Sequence, residues 1–149
     1  MNDPRQIAAA LEAAKTIAVV GCSPDPARPS HSVATYLMKA GYRVIPVNPG
    51  HRTLLGETCY PSILEIPPGV RLDIVDVFRR SSEVGKVADQ AIVRGAGFFF
   101  MQLGVVDVEA ARRLEAAGIP VAMDRCILIE RGRLLPLAAG EARGEGDTA

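Results

Sequence analysis

TIAVVGCSPDPARPSHSVATYLMKAG, running from Thr16 to Gly41, is the stretch on which the reading of the fold turns. Ile17 to Gly21 is an unbroken apolar run, as expected of a strand covered on both faces. A helix follows a few residues later. Ser30 is placed to cap it, Val33, Leu37 and Ala40 fall on one face, and Gly41 ends it. Strand, glycine turn and helix together mark the place where a doubly wound fold sets its phosphate-binding loop. Yet the loop is not the usual G-x-G-x-x-G. From Gly21 to Ser32 it holds one glycine, three prolines, one arginine and three serines.

Outward from this unit, strands and helices alternate. Residues 4–15 form a short amphipathic helix with Asp3 as N-cap and Pro4 at its first position. Arg43–Val47 is a second strand, Asn48-Pro49-Gly50 a turn, and the segment to Pro61 mostly loop. Leu72–Phe78 is a third strand. A helix capped by Ser81 or Ser82 follows, with Val84, Val87, Ala88 and Ala91 as its buried stripe and Gly95 closing it. Gly97–Leu103 is strand four. Asp107 caps a helix carrying Val108, Ala111 and Leu114, stopped by Gly118, and Ile119–Met123 is strand five. The segment CILIERGRLLPL is compatible with a short hairpin turning at Arg131–Gly132. This pattern predicts an α/β, Rossmann-like, doubly wound sheet of five parallel strands, an NAD(P)-binding-type fold in the order 3-2-1-4-5. Residues 1–140 are expected to form a single domain, followed by a flexible tail at 141–149.

Composition narrows the function classes. A chain of 149 residues with 48% apolar content builds a real core and is not disordered. Zero formal net charge gives no broad attraction to nucleic acid or to an anionic membrane. No apolar run approaches the roughly 18 residues needed to span a bilayer. Cys22, Cys59 and Cys126 cannot all pair internally and show no metal-ligand spacing, so a reducing cytoplasm is the simplest home and no metal is expected. No HExxH, Walker loop or GxSxG occurs, and neither His31 nor His51 is tied to a cysteine by spacing. No catalytic residue is therefore assigned.

In such a sheet the ligand crevice lies at the carboxyl ends of the strands, so the informative residues are those just after each strand. After strand one, a helix N-terminus offers free N–H groups, Ser23 and Ser30 offer hydroxyls, and Arg28 adds a charged fork of donors: a candidate anion site. After strand two, Asn48 stands where an NAD site usually carries an acidic residue for the ribose hydroxyls, with His51 and Arg52 beyond it. That argues against NAD and leaves a phosphorylated adenosine open. After strand three, Arg79 and Arg80 adjoin a helix start, and Phe78 is placed to cover a base or a thioester arm. Gln102 and Gly104 follow strand four, and Arg125 and Cys126 follow strand five.

Taken together, VVGCS, RPS, VNP, VDVFRRS, MQLGV and DRC resemble the stand-alone CoA-binding domain proteins. Those are similar to the N-terminal CoA-binding domain of the succinyl-CoA synthetase alpha subunit. The resemblance spans about residues 5 to 135. It implies that Gly21, Cys22, Ser23, Arg28 and Ser30 hold the CoA phosphates, and that Val47, Asn48 and Pro49 line the adenosine side. Val77, Phe78, Arg79 and Arg80 would flank the nucleotide and the start of the pantetheine arm, with Gln102 to Gly104 further along. The synthetase's second domain, with its phosphorylated histidine, has no match here, so ligase activity is not carried over. The expected function is non-catalytic binding of CoA or acyl-CoA. An NADP-dependent or acyl-CoA-using enzyme and a CoA-sensing interaction module are the alternatives, and no protein partner is implied.

Overall fold

The computed structural model describes residues 1–134, and the tail expected at 141–149 lies outside the described residues. In chain order the elements are α1 (Pro4–Ala13), β1 (Thr16–Val20), α2 (Pro29–Lys39), β2 (Arg43–Val47), a hairpin of β3 (Thr53–Leu54) and β4 (Glu57–Thr58), β5 (Ile74–Val77), α3 (Val84–Arg94), β6 (Phe99–Met101), α4 (Val108–Ala116), β7 (Val121–Met123) and α5 (Ile127–Leu134). Every residue of β1 and β5 is buried, which is why neither strand alternates in polarity. Successive side chains feed two apolar layers. Ile17, Val19 and Phe100 pack with Ile7, Leu11, Val33, Leu37 and Ile127 of α1, α2 and α5. Ala18, Val20, Val75 and Met101 pack with Val84, Val87, Ala91, Ala111 and Leu114 of α3 and α4.

The five long strands form one parallel sheet flanked by helices on both faces, as expected, but in the order β2-β1-β5-β6-β7. The third sheet strand thus lies against strand one, not outside strand two, and the predicted order 3-2-1-4-5 is corrected to 2-1-3-4-5. The reason is the face on which the chain returns. Helix α2 carries the β1–β2 crossover over one face of the sheet. Residues 48–73 contain no α-helix, and their Ile63, Ile66 and Leu72 pack on the opposite face. A right-handed crossover on that face moves the chain back past β1.

The predicted C-terminal hairpin is likewise corrected: Ile127–Leu134 is helical. Ile127 and Arg131 sit one turn apart and both face inward. Ile127 is fully buried, while the Arg131 guanidinium donates to the hydroxyls of Tyr36 (3.1 Å) and Tyr42 (3.3 Å) and lies over both rings. Two of the four sequence-assigned caps hold, with Asp3 accepting from the Arg5 N–H and Asp107 from that of Ala110. Ser30 is not a cap. Arg28 precedes the helix, Pro29 takes its first turn, and the Ser30 hydroxyl is buried against the loop. Nor do Ser81 and Ser82 cap α3. They form a 3₁₀ turn with Glu83, and Ser81 Oγ accepts from Val106 N–H at 2.9 Å.

Both sheet edges are covered. Along β2, the β3–β4 arm folds back through a two-residue turn, Leu55 and Gly56, both left-handed (φ 55° and 75°), and Tyr60 bridges to Val47. Along β7, Asn2 donates its backbone N–H to Val121 and exchanges two side-chain hydrogen bonds with Met123.

Candidate functional site

The strand order decides which loops meet. Because β1 lies between β2 and β5, the turns after these three strands converge, and the ladder continues beyond the strands themselves. Gly21 N–H donates to Val47 O (2.9 Å), Phe78 N–H to Val20 O (2.8 Å) and Gln102 N–H to Val77 O (3.3 Å). Gly21 has φ +84°, and a Cβ there would lie 2.2 Å from the Phe78 carbonyl oxygen. One glycine suffices because only one point of the loop touches its neighbour this closely.

The loop from Cys22 to Arg28 is held by short-range polar groups rather than by glycine freedom. Ser30 Oγ accepts from Ser23 N–H (3.0 Å), Ser23 Oγ from Asp25 N–H (3.0 Å), and Asp25 Oδ1 from Ala27 N–H (2.9 Å). Asn48 joins loops one and two, its side-chain N–H donating to Cys22 O (2.8 Å) and its oxygen accepting from Gly50 N–H (2.9 Å). The residue that stood in the ribose-binding position is therefore a brace between turns.

Two cavities open at this edge, one on each side of the sheet. The first, about 450 Å³, lies on the α2 side and is walled by Gly21, Ser23, Arg28, Ser30, Phe78 and Gln102. The second, about 520 Å³, lies on the α3 side and is walled by Val47, Pro49, Ser62, Arg79, Lys86 and Gln90. Alternation along the strand ends produces the division. Gly21, Asn48 and Phe78 face one cavity, while their neighbours Val20, Pro49 and Arg79 face the other. Arg28, Arg79 and Lys86 form no ion pair among the described residues.

Ten of the fourteen residues singled out in the sequence line one of the two cavities. Cys22 and Val77 do not; both are fully buried beneath them. Arg80 points away and pairs with Glu83 at 3.0 Å. Gly104 (φ +82°) sits at the rim, where its N–H donates to Asp124 Oδ1 at 2.7 Å. Asp124 and Arg125 follow β7, but neither lines a cavity. Lys86 and Gln90 were missed. Each stands one further turn along α3 from Ser82, so helical spacing returns them to the same edge. Ser62 had no signal, since the path of residues 48–73 is not written in periodicity.

Burial sets the thiol chemistry. It pushes Cys22 up to about 11, with Cys59 and Asp76 nearby adding to the shift, and it raises Cys59 as well. Beneath Gln102, Asp76 is fully enclosed in the sheet and accepts a hydrogen bond from the Gln102 side-chain nitrogen. Among the described residues no group of His, Cys, Asp or Glu is placed to hold a metal, and no helix is long and apolar enough to cross a membrane.

Comparison with known proteins adds a family to this geometry. The chain is 42% identical over 119 residues to the uncharacterised protein YneT of Bacillus subtilis, covering 80% of this chain and 87% of that one. It is 32% identical over 123 residues to acetate–CoA ligase (ADP-forming) I of Archaeoglobus fulgidus, covering 76% of this chain but 18% of the ligase. A solved structure of a hypothetical protein from Pyrococcus horikoshii superposes with a TM-score of 0.84 at 37% identity, covering 89% of this chain and 92% of that one. The model of the CoA binding domain matches residues 15–132, and the chain belongs to that family.

Proposed function

We propose that this protein binds CoA or acyl-CoA across the carboxyl edge of its sheet and carries out no bond-making step of its own. One observation carries the reading: two cavities flank the end of β1 on opposite sides, each lined by cations that form no ion pair among the described residues, with Glu83 of the second cavity paired to Arg80. CoA is an anion at two separated places, its pyrophosphate and its 3′-phosphate. The α2-side cavity offers a helix N-terminus, Ser23 and Arg28 to the pyrophosphate. The α3-side cavity offers Val47, Pro49 and Ile63 to the adenine and the Arg79–Lys86 pair to the 3′-phosphate. The pantetheine arm then runs along Phe78, Leu103 and Val105.

Membership of the CoA binding domain family supports the ligand. The binding-only role is supported by the state of Cys22, which is buried beneath the cavities and which burial pushes up to about 11. The ligation named for the Archaeoglobus relative stays with that protein, of whose length this chain spans 18%. Calorimetric titration with CoA tests the reading. Saturable binding that weakens in Arg28→Ala is the expected result, and absence of heat at millimolar CoA, or turnover of acyl-CoA, would overturn it.

A further inference from the structure

Asp76 is a costly residue for the fold. It stands in β5, the central strand of the sheet, with no exposed surface, among positions where Ile74, Val75 and Val77 supply apolar packing. Its Oδ1 accepts from Gln102 Nε2, while Oδ2 is buried and has no partner among the described residues. A desolvated acid with half its hydrogen-bonding capacity unmet costs stability that an apolar side chain would not. Burial pushes its carboxyl up to about 8, against the lowering effect of the Gln102 hydrogen bond.

Gln102 is the group on which this cost acts. It is 4% exposed, its backbone is pinned on both sides by Val77 and Val105, and its side chain forms part of the α2-side cavity wall. An amide can present either its oxygen or its nitrogen to a cavity, and rotation by half a turn exchanges them. With Nε2 turned inward to Asp76, Oε1 is left toward the cavity, and no donor among the described residues reaches it. The same cavity is lined by the apolar Phe78, Leu103 and Val105 as well as by Ser23, Arg28 and Ser30.

We propose that Asp76 is a positioning residue that locks the Gln102 side chain with its oxygen toward the crevice, making Gln102 the acceptor for a secondary-amide N–H on the ligand's arm. The inference rests on the CoA-binding reading and adds a specificity element to it: the arm is recognised by its amide, separately from the phosphates. An ionised Asp76 can only accept and so holds Nε2 inward, whereas a protonated carboxyl can also donate to Oε1, so the lock is tightest with Asp76 ionised.

The test uses two ligands on three proteins. CoA carries the arm, and adenosine 3′,5′-bisphosphate lacks it. Asp76→Ala frees the Gln102 amide and is expected to weaken CoA about 5- to 30-fold, the scale of one buried hydrogen bond, with the bisphosphate unchanged. Asp76→Asn can meet Nε2 with its oxygen or Oε1 with its amide, so it only loosens the lock, and a CoA loss smaller than that of Asp76→Ala is expected. Equal losses for both ligands in Asp76→Ala, or no loss for CoA, would overturn the proposal. If Asp76→Ala fails to fold, Gln102→Met serves: it keeps the volume, removes the acceptor, and must weaken CoA alone by a similar factor. A parent protein that binds the bisphosphate but gains nothing from the arm refutes this inference and leaves the nucleotide site standing. One that binds neither ligand removes the function itself.

Discussion

The two sides of the crevice are built in opposite ways. On the α2 side the binding surface is mostly backbone and short side chains, cross-braced by Ser30, Ser23, Asp25 and Asn48. On the α3 side it includes two long cations, Arg79 and Lys86, rising from the segment after β5 and the first turn of a helix. The first kind of surface is set before the ligand arrives and loses little entropy on binding. The second must order flexible side chains when it binds, and its charges are open to screening. A phosphate gripped by the braced loop should therefore contribute more, and be less sensitive to salt, than one met by the α3-side cations.

The largest expected effect comes from breaking the braced side at its root. Gly21→Ala places a Cβ against the Phe78 carbonyl at a left-handed φ. It should cost about 3 kcal/mol of stability and abolish CoA binding, read by thermal melting and calorimetry. Arg28→Ala removes a charged donor but leaves the loop intact. An affinity loss of roughly 10- to 100-fold with little change in melting temperature is expected.

A third experiment examines what lies under that side. In the unfolded chain Asp76 titrates at its ordinary value of 3.8, and in the folded protein at about 8. Between those values the folded state holds the extra proton, so this group's contribution to stability declines as pH rises from about 4 to about 8 and is level above. Asp76→Asn should match the parent near pH 4 and melt several degrees higher at pH 8. A difference independent of pH would contradict the assignment.

The smallest effect belongs to the other side. Lys86→Ala should weaken CoA only about fivefold, and the deficit should shrink toward zero in roughly 1 M salt, where the screening length is about 3 Å. A loss as large and salt-resistant as that of Arg28→Ala would erase the contrast between the two sides.

The same contrast runs through what was legible in the sequence. Local chemistry was readable: Asp3 and Asp107 cap helices, Gly95 closes α3 in the left-handed region, and RVIPV is a strand. The place of the loop after β1 was legible too, but its wiring was not, since Ser30 braces Ser23 and does not cap α2. The strand order was not, since it depends on the face taken by residues 48–73, which carry no helical period. That miss had a consequence for the site, because the order 3-2-1-4-5 would separate Phe78 and Arg79 from Gly21, whereas the observed order joins them. Asp76 was equally silent in LDIVDVF. There Asp73 looks the same, yet it accepts from the Lys15 and Thr16 N–H groups and pairs with Arg71 at the far end of the sheet.

One last consequence follows from the covered edges. Asn2 occupies outward hydrogen-bonding positions of β7, and Tyr60, just after the β3–β4 arm, donates to Pro46 O and accepts from the Asn48 N–H at the end of β2. A parallel sheet left open on either flank is a template on which another copy can crystallise its own backbone. Here both flanks are stoppered from within the same chain, one of them by a single amide imitating a sixth strand. Removing that imitation, with Asn2→Ala, should leave the crevice intact while increasing self-association on storage, a change light scattering would register.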